Sequence, residues 1–299
     1  LDAGDVNGDG LPDLAIASGG VGIALGRGDG TFGAPVRSEA GARSLALGDL
    51  NGDRWLDVVT ATTGNNPCCN TVSVLLGRGD GSFGPPRDHV AGFGSSYVDL
   101  ADLNGDGMLD AAVANVFERT VSVFLGNGDG TLRARTDYAT AGSSNRVAIG
   151  DLNGDGRLDL ATANGFDSNT VSVLLGRGDG TFQPRMDFRT AGTPVAIALG
   201  DANGDGALDV VTANQLSSCA SVLLGRGDGT LEPKTDYGTT VHPVFAALGD
   251  LDADGRPDLV VANQFRGTVS ILLSGDRDEL PSPPIAVQVE NLEAAAYGN

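Results

Sequence analysis

Residues 151–163 read DLNGDGRLDLATA, and nearly the same stretch occurs six times along the 299-residue chain. The shared form is D-x-[N/D]-x-D-x-x-x-D followed by an apolar run, and the copies begin at Asp5, Asp49, Asp102, Asp151, Asp201 and Asp250. The first aspartates of successive copies are 44, 53, 49, 50 and 49 residues apart. A nearly fixed period of this size predicts a repeat architecture, either a propeller or a solenoid.

Each copy places oxygen-bearing side chains at its first, third, fifth and ninth positions, and the seventh residue would add its backbone carbonyl. This is the oxygen donor set that Ca²⁺ takes with six to eight ligands. The sequence therefore predicts up to six calcium sites. Their ligands would be Asp5, Asn7, Asp9, Leu11 and Asp13; Asp49, Asn51, Asp53, Trp55 and Asp57; Asp102, Asn104, Asp106, Met108 and Asp110; Asp151, Asn153, Asp155, Arg157 and Asp159; Asp201, Asn203, Asp205, Ala207 and Asp209; and Asp250, Asp252, Asp254, Arg256 and Asp258.

The sixth position of the loop is glycine in five of the six copies, as at Gly156. A sharp turn with positive φ is expected there, and glycine adopts it without steric cost. The second copy has Arg54 at this position. A left-handed residue with a Cβ costs on the order of 1 kcal/mol. We therefore expect the site from Asp49 to Asp57 to be the weakest of the six.

The segments between the loops predict four short β-strands in each repeat. A first apolar segment precedes the loop, and a second, such as LATA at 160–163, follows it. A third strand, TVSVLLG at 170–176, leads through the tight turn GRGDGTF into a fourth, less regular strand at 183–192. Four strands of about five residues with their connections fill about 50 residues, which is one propeller blade.

The repeat resembles the FG-GAP/VCBS repeat of integrin α-subunit propellers and of bacterial secreted proteins, both in its DxNGDGxxD loop and in its LLGxGDGTF turn. The resemblance implies an all-β propeller of four-stranded antiparallel blades, with a calcium loop between the first and second strands of each blade. We expect one domain over residues 1–289 with six blades, seven being the alternative, and IAVQV at 285–289 as the missing last strand. The tail 290–299 is expected to fray.

Composition limits the partners. Asp and Glu outnumber Lys and Arg by 39 to 19, and six bound Ca²⁺ would bring the formal net charge from −20 to −8. An acidic surface disfavours nucleic acid and anionic membranes, and no apolar run approaches the ~20 residues that span a bilayer. Calcium is millimolar outside cells, so we expect a secreted or cell-surface protein, monomeric, from whose sequence any signal peptide or upstream domain has been removed.

Catalytic motifs are scarce. The chain has two histidines, no G-x-S-x-G and no H-E-x-x-H, and its motif-borne carboxylates are assigned to calcium. The sequence predicts that the protein is not an enzyme, with a polysaccharide lyase or hydrolase as one alternative and a structural spacer of a larger secreted protein as the other.

A ligand-binding surface is expected opposite the calcium loops. Antiparallel strands place the second-to-third connections and the links between blades together, away from the loops. Exposed aromatic rings beside amide and guanidinium groups suit sugar or peptide recognition, so we predict a binding or adhesion module for an extracellular glycan or surface protein. An alternative is that the phenylalanines fill gaps between blades. The candidate residues are Arg43, Phe93, Tyr97, Phe117, Asn145, Arg146, Phe166, His242 and Phe265.

Three further features are predicted to be structural. The Arg-Gly-Asp tripeptides at Arg27, Arg78, Arg177 and Arg226 lie in the tight turns, and an asparagine ends each of four second strands, at 115, 164, 214 and 263. Cys68 and Cys69 form either a vicinal disulfide or two free thiols, and Cys219 lies in the matching region of the fifth repeat.

Overall fold

The computed structural model describes residues 1–38, 40–63, 70–274 and 285–288, with the backbone alone for Arg266 and 285–288. Over these ranges the chain is all-β and forms six four-stranded antiparallel sheets, the blades of a β-propeller. It divides into two compact units, Leu1–Ala139 with Gly178–Thr181, and Thr140–Arg177 with the residues described from Phe182 onward. In the described part of the chain, no helix has the length and apolar character needed to cross a membrane.

Three sheets belong to the first unit, and in each the strands pair in chain order. Sheet one consists of β1 (Asp2–Gly4), β2 (Asp13–Ala17), β3 (Val21–Ala24) and β4 (Val36–Ser38); sheet two of β5 (Ser44–Gly48), β6 (Asp57–Thr62), β7 (Thr71–Leu75) and β8 (Arg87–Val90); and sheet three of β9 (Ser95–Ala101), β10 (Asp110–Asn115), β11 (Thr120–Phe124) and β12 (Thr136–Ala139).

The second unit also has three sheets in chain order. Sheet four consists of β13 (Ser143–Gly150), β14 (Asp159–Gly165), β15 (Thr170–Leu174) and β16 (Met186–Arg189); sheet five of β17 (Pro194–Gly200), β18 (Asp209–Asn214), β19 (Cys219–Leu223) and β20 (Thr235–Gly238); and sheet six of β21 (Pro243–Gly249), β22 (Asp258–Asn263), β23 (Thr268–Leu272) and β24 (Ile285–Gln288). Strand β24 pairs with β23, as predicted for IAVQV. The predicted tail, 290–299, and the pair Cys68 and Cys69 lie outside the described residues.

The chain order gives every sheet two distinct ends. The aspartate loop joins the first strand to the second, and the G-x-G-D-G turn joins the third to the fourth, at what we call the loop end. The second-to-third connection and the link to the next sheet lie at the opposite, connection end. This separation follows from antiparallel pairing of consecutive strands and confirms the predicted order of elements.

The core lies between consecutive sheets within each unit. One cluster joins sheets two and three through buried residues such as Val59, Val74, Val113 and Phe124, and similar clusters join sheets one and two, four and five, and five and six. The second strands are buried along nearly their whole length, as in β14, where all seven residues are buried. This burial on both faces explains why these strands read as continuous runs of alanine, valine and leucine rather than as alternating patterns.

The asparagines that end the second strands are structural, as predicted. The Asn164 Nδ2 donates to the Ser172 Oγ at 2.8 Å, and this hydroxyl donates to the Asp187 Oδ1 at 2.7 Å. The same chain of side chains recurs in sheets three and five. Because Asn164 and Ser172 are fully buried, each hydrogen bond satisfies a polar group that would otherwise be costly to bury.

The Arg-Gly-Asp tripeptides lie in the tight turns. The Asp29 Oδ1 accepts hydrogen bonds from the backbone N–H and the hydroxyl of Thr31, at 2.9 and 2.6 Å. These bonds, from the hydroxyl first, lower the pKa of the Asp29 carboxyl. In the other turns, the aspartate Oδ1 likewise accepts a hydrogen bond from the backbone N–H of the residue two positions later. The aspartate of each tripeptide is thus used within its own turn.

Candidate functional site

The carboxylate of the first aspartate in each loop accepts hydrogen bonds from backbone N–H groups of residues that follow it in the chain. In the first loop, the Asp5 Oδ1 accepts from the N–H of Gly8 at 2.7 Å, and its Oδ2 accepts from the N–H of Gly10 at 2.8 Å. The hydrogen bond from Gly10 is the main reason that the pKa of Asp5 is lowered. The bond from the sixth residue recurs in all six loops. In every loop this hydrogen bond orients the first carboxylate before any ligand binds.

The third and fifth positions lie next to the first. In the sixth loop, where all three are acidic, the carboxylates of Asp250, Asp252 and Asp254 each bring an oxygen within 4.8 Å of the others. In the other loops asparagine holds the third position, and its Nδ2 donates to the fifth-position carboxylate, at 2.9 Å between Asn7 and Asp9. Three exposed carboxylates this close repel one another unless a cation lies among them. The donor set is all oxygen, which fits Ca²⁺ or Mg²⁺.

The ninth aspartate has a second role that the sequence pattern did not reveal. It is fully buried in all six loops. In the fourth loop, the Asp159 Oδ2 accepts from the Leu152 N–H at 2.9 Å, and its Oδ1 accepts from the Gly176 N–H at 2.7 Å. The carboxylate thereby ties the start of its loop to the end of the third strand. It keeps further lone pairs for a cation, since a carboxylate has about four acceptor sites.

Burial changes the acidity of these aspartates. Desolvation raises the pKa values of the Asp57, Asp110 and Asp159 carboxyls above the ordinary value for aspartate. It raises the pKa of Asp209 to about 6. The Coulomb repulsion of the first and fifth aspartates of the same loop acts in the same direction. A bound cation would oppose both effects because it favours the ionised form.

Two loops carry a side chain on left-handed backbone. Arg54 has φ of 76°, as predicted for the sixth position of the second loop. The fourth position is also left-handed: glycine holds it in five loops, but the sixth loop has Ala253 with φ of 62°. The sequence-based prediction concerned the sixth position only and did not include the fourth. Strain is therefore present in both the second and the sixth loop, while the relative affinity of the second loop for calcium stays a prediction.

Replacing Arg54 by glycine should stabilise the protein by about 1 kcal/mol, because the left-handed backbone no longer carries a Cβ. Urea denaturation with excess EDTA measures this change without a contribution from metal. The reverse substitution, Gly156→Ala, serves as the control. Gly156 has φ of 79° and no atom within 4 Å of an added Cβ, so a loss of about 1 kcal/mol is expected from the backbone alone. Equal stability of Arg54→Gly and wild type would contradict the assignment of strain.

At the connection end, three of the predicted ligand residues are strongly exposed. Phe117, Phe166 and Phe265 expose 60, 66 and 68% of their surface, so they do not fill gaps between sheets. Phe117 contacts the ring of Phe93 at 5.0 Å between centroids. The ring of Phe265 meets His242 edge to face at 4.1 Å. Each pair joins a second-to-third connection to the link that precedes the same sheet.

A second group lies on the first strands, five residues before each loop. Tyr97, Arg146 and Phe245 occupy this position, each opposite an alanine of the second strand. In the second unit, the Arg146 Cζ lies 4.7 Å from the centroid of the Phe245 ring, which is within the range of a cation–π contact. The intervening sheet has only Ala196 at this position. Phe245 is 43% exposed. It was not among the residues predicted from the sequence, although its spacing from the loop matches that of Tyr97 and Arg146.

The remaining candidates have structural contacts. The Asn145 Nδ2 donates to the Pro194 carbonyl at 2.9 Å, so this amide links sheets four and five. Arg43 is exposed, and its backbone N–H donates to the Ala61 carbonyl. Cys219 is a buried free thiol that accepts a hydrogen bond from Asn214 at 3.6 Å. Burial raises the pKa of the Cys219 thiol, which agrees with a structural rather than a catalytic residue.

Comparison with protein families supports the repeat assignment. Five segments of the chain match the family model described as an FG-GAP-like repeat, over residues 5–60, 49–113, 102–162, 151–212 and 203–261. No curated protein sequence matches the chain significantly.

Solved structures share the fold at low sequence identity. A lectin of Agrocybe aegerita that recognises non-reducing terminal N-acetylglucosamine has a TM-score of 0.64 and 20% identity, over 95% of this chain and 79% of the lectin. A periplasmic gluconolactonase of Pseudomonas aeruginosa has a TM-score of 0.65 and 17% identity, over 95% and 81% of the two chains. A candidate 6-phosphogluconolactonase of Bacteroides uniformis has a TM-score of 0.66 and 16% identity, over 93% and 83%.

These comparisons contradict the prediction that the protein is not an enzyme. The two lactonase neighbours show that this architecture also supports hydrolysis. The prediction was based on the absence of serine-hydrolase and zinc-protease motifs from the sequence. It was wrong because these motifs belong to other folds, so their absence says little about catalysis by a propeller.

Proposed function

Because the chain belongs to the family of FG-GAP-like repeat proteins, we propose that it is a calcium-stabilised extracellular module that binds a carbohydrate at the connection end. The calcium part of the proposal is supported by six loops with an all-oxygen donor set, including three clustered carboxylates in the sixth loop. Loops of this kind fill where calcium is millimolar. The protein would therefore work outside the cell or on its surface.

The carbohydrate part rests on the contact between Arg146 and Phe245. An aromatic ring offers an apolar face to the C–H groups of a sugar, and a guanidinium beside it donates hydrogen bonds to hydroxyl groups. Phe245 remains 43% exposed although the guanidinium lies over its ring. The two side chains come from sheets four and six, and sheet five between them has the small Ala196 at the matching position. A sugar that stacks on Phe245 would have this guanidinium beside it.

Glycan array screening of the calcium-loaded protein, followed by titration calorimetry with the best glycan, tests the proposal. We expect Phe245→Ala and Arg146→Ala each to weaken binding by about tenfold or more, which corresponds to about 1.4 kcal/mol. Phe32→Ala is the matched control, because Phe32 has a similar exposure of 38% but lies at the loop end beside the G-x-G-D-G turn of sheet one. This variant should bind as wild type does.

Two outcomes would overturn the proposed binding site. If no glycan binds with saturation, carbohydrate recognition is excluded for the glycans on the array. If a glycan binds but its affinity is unchanged by both Phe245→Ala and Arg146→Ala, the sugar contacts another surface. The same samples should be assayed for release of products from sugar lactones, since turnover would make the protein an enzyme with this architecture.

A further inference from the structure

In several loops the seventh residue lies next to a glycine of the G-x-G-D-G turn in its own sheet, at the loop end. In the second loop this residue is Trp55. A methyl group added to Gly79, in the turn of the same sheet, would lie 2.4 Å from the indole, and one added to Gly8, in the preceding loop, would lie 2.7 Å away. The indole is thus in direct contact with both glycine backbones. In the third loop, Met108 packs against Gly128 of the turn but not against Gly52 of the preceding loop.

The fifth loop has the small Ala207 at this position, and here a cleft remains open. A cavity of about 380 Å³ lies between Gly154 of the preceding loop and Gly227 of the turn in the same sheet. A methyl group added to Gly227 would contact only the Cβ of Ala207, at 3.9 Å. The two glycines correspond to Gly8 and Gly79. The cavity is therefore the place that the indole of Trp55 fills in the second loop.

The walls of this cavity suit a flat apolar ring with a polar edge. Leu152 and Leu208 line it together with the glycines, and so do Arg226 and two of the predicted calcium ligands, Asp151 and Asp205. The Arg226 Nε lies 3.6 Å from the carboxylate of Glu232, which is not part of the cavity lining. A guanidinium can stack on an aromatic ring. The volume lies in the range of small-molecule sites, roughly 300–1,000 Å³.

We propose that this cavity binds a planar aromatic ring of the indole class, in the position that the side chain of Trp55 occupies in the second loop. The site lies at the loop end and is independent of the carbohydrate site proposed at the connection end. Failure of either proposal leaves the other untouched, because the two use different residues at opposite ends of the sheets.

Titration calorimetry of the full chain in millimolar calcium, with N-acetyl-tryptophanamide as the probe, tests this inference. Wild type should bind one molecule with saturation. Ala207→Trp should fill the cavity and weaken binding at least tenfold, whereas Trp55→Ala should open the equivalent cleft and raise the stoichiometry from one to two. Circular dichroism and the number of bound calcium ions control for folding, and Ala207→Met, which copies the third loop, replaces Ala207→Trp if that variant does not fold.

A spectroscopic measurement checks the same cavity without added ligand. Trp55 is the sole tryptophan of the chain, so the double variant Trp55→Ala with Ala207→Trp again has one. Its fluorescence maximum should match that of wild type if the cavity accepts an indole as the second loop does. The inference is overturned if the probe does not bind wild type, or if its binding is unchanged in Ala207→Trp or Ala207→Met. Binding of a monosaccharide probe but not of the indole would also overturn it.

Discussion

In millimolar Ca²⁺ we expect the protein to unfold at a temperature at least about 10 °C higher than in excess EDTA. A ligand that binds only the folded state adds about 2.7 kcal/mol for each site when its free concentration is 100 times Kd. Two such sites would already add about 5 kcal/mol, and each kcal/mol raises the midpoint by roughly 2 °C in larger domains. The chain has six loops, so several sites should contribute.

The physical origin of this effect is the repulsion that calcium relieves. The chain carries a net charge of −20, and the sixth loop holds three exposed carboxylates within 4.8 Å of one another. Calorimetry with and without calcium gives the shift, and native mass spectrometry counts the ions. Magnesium at the same concentration is the control for general screening of charge, and we expect a smaller shift with it because Mg²⁺ demands octahedral geometry. Equal midpoints in EDTA and calcium, with no bound ion, would refute the calcium assignment.

Replacing Asp159 by alanine should cost about 2–6 kcal/mol even in the absence of calcium. The substitution leaves the backbone N–H groups of Leu152 and Gly176 without their acceptor, and an unsatisfied buried donor costs about 1–3 kcal/mol. Asp159 is fully buried, so water cannot easily replace the carboxylate. The free energy of unfolding in urea with excess EDTA measures this loss.

Asp155→Asn is the matched control in the same loop. Asp155 is exposed. Its Oδ1 accepts from the Arg157 N–H at 2.9 Å, which an asparagine oxygen can also accept, and its Oδ2 accepts from the Asn153 Nδ2 at 3.2 Å in a bond that water can replace. In EDTA this variant should unfold within about 0.5 kcal/mol of wild type, as exposed substitutions do. In calcium it should bind one ion fewer. If Asp159→Ala were no less stable in EDTA than Asp155→Asn, the ninth aspartate would have no structural role apart from metal binding.

The repeat, the strands and the loops could be read from the chain because each depends on residues close in sequence. The left-handed turn at Arg54 is an example, since φ at one residue follows from its place in a nine-residue loop. The strand at 285–288 was also predictable, because every preceding repeat has a fourth strand in the same place. The proposed carbohydrate site was predicted only in part: Arg146 was identified, while Phe245 was not.

Tertiary structure alone decided the features that depend on neighbouring repeats. The contact of Arg146 with Phe245 joins strands about 100 residues apart and requires the small Ala196 on the strand between them. The cavity beside Ala207 exists because Gly154 of the preceding sheet and Gly227 of its own turn form the walls that Trp55 fills elsewhere. The tie from Asp159 to Gly176 likewise crosses from one strand to another. A repeat pattern reports what the copies share, whereas packing responds to the side chains in which they differ, and these differences set the two proposed ligand sites.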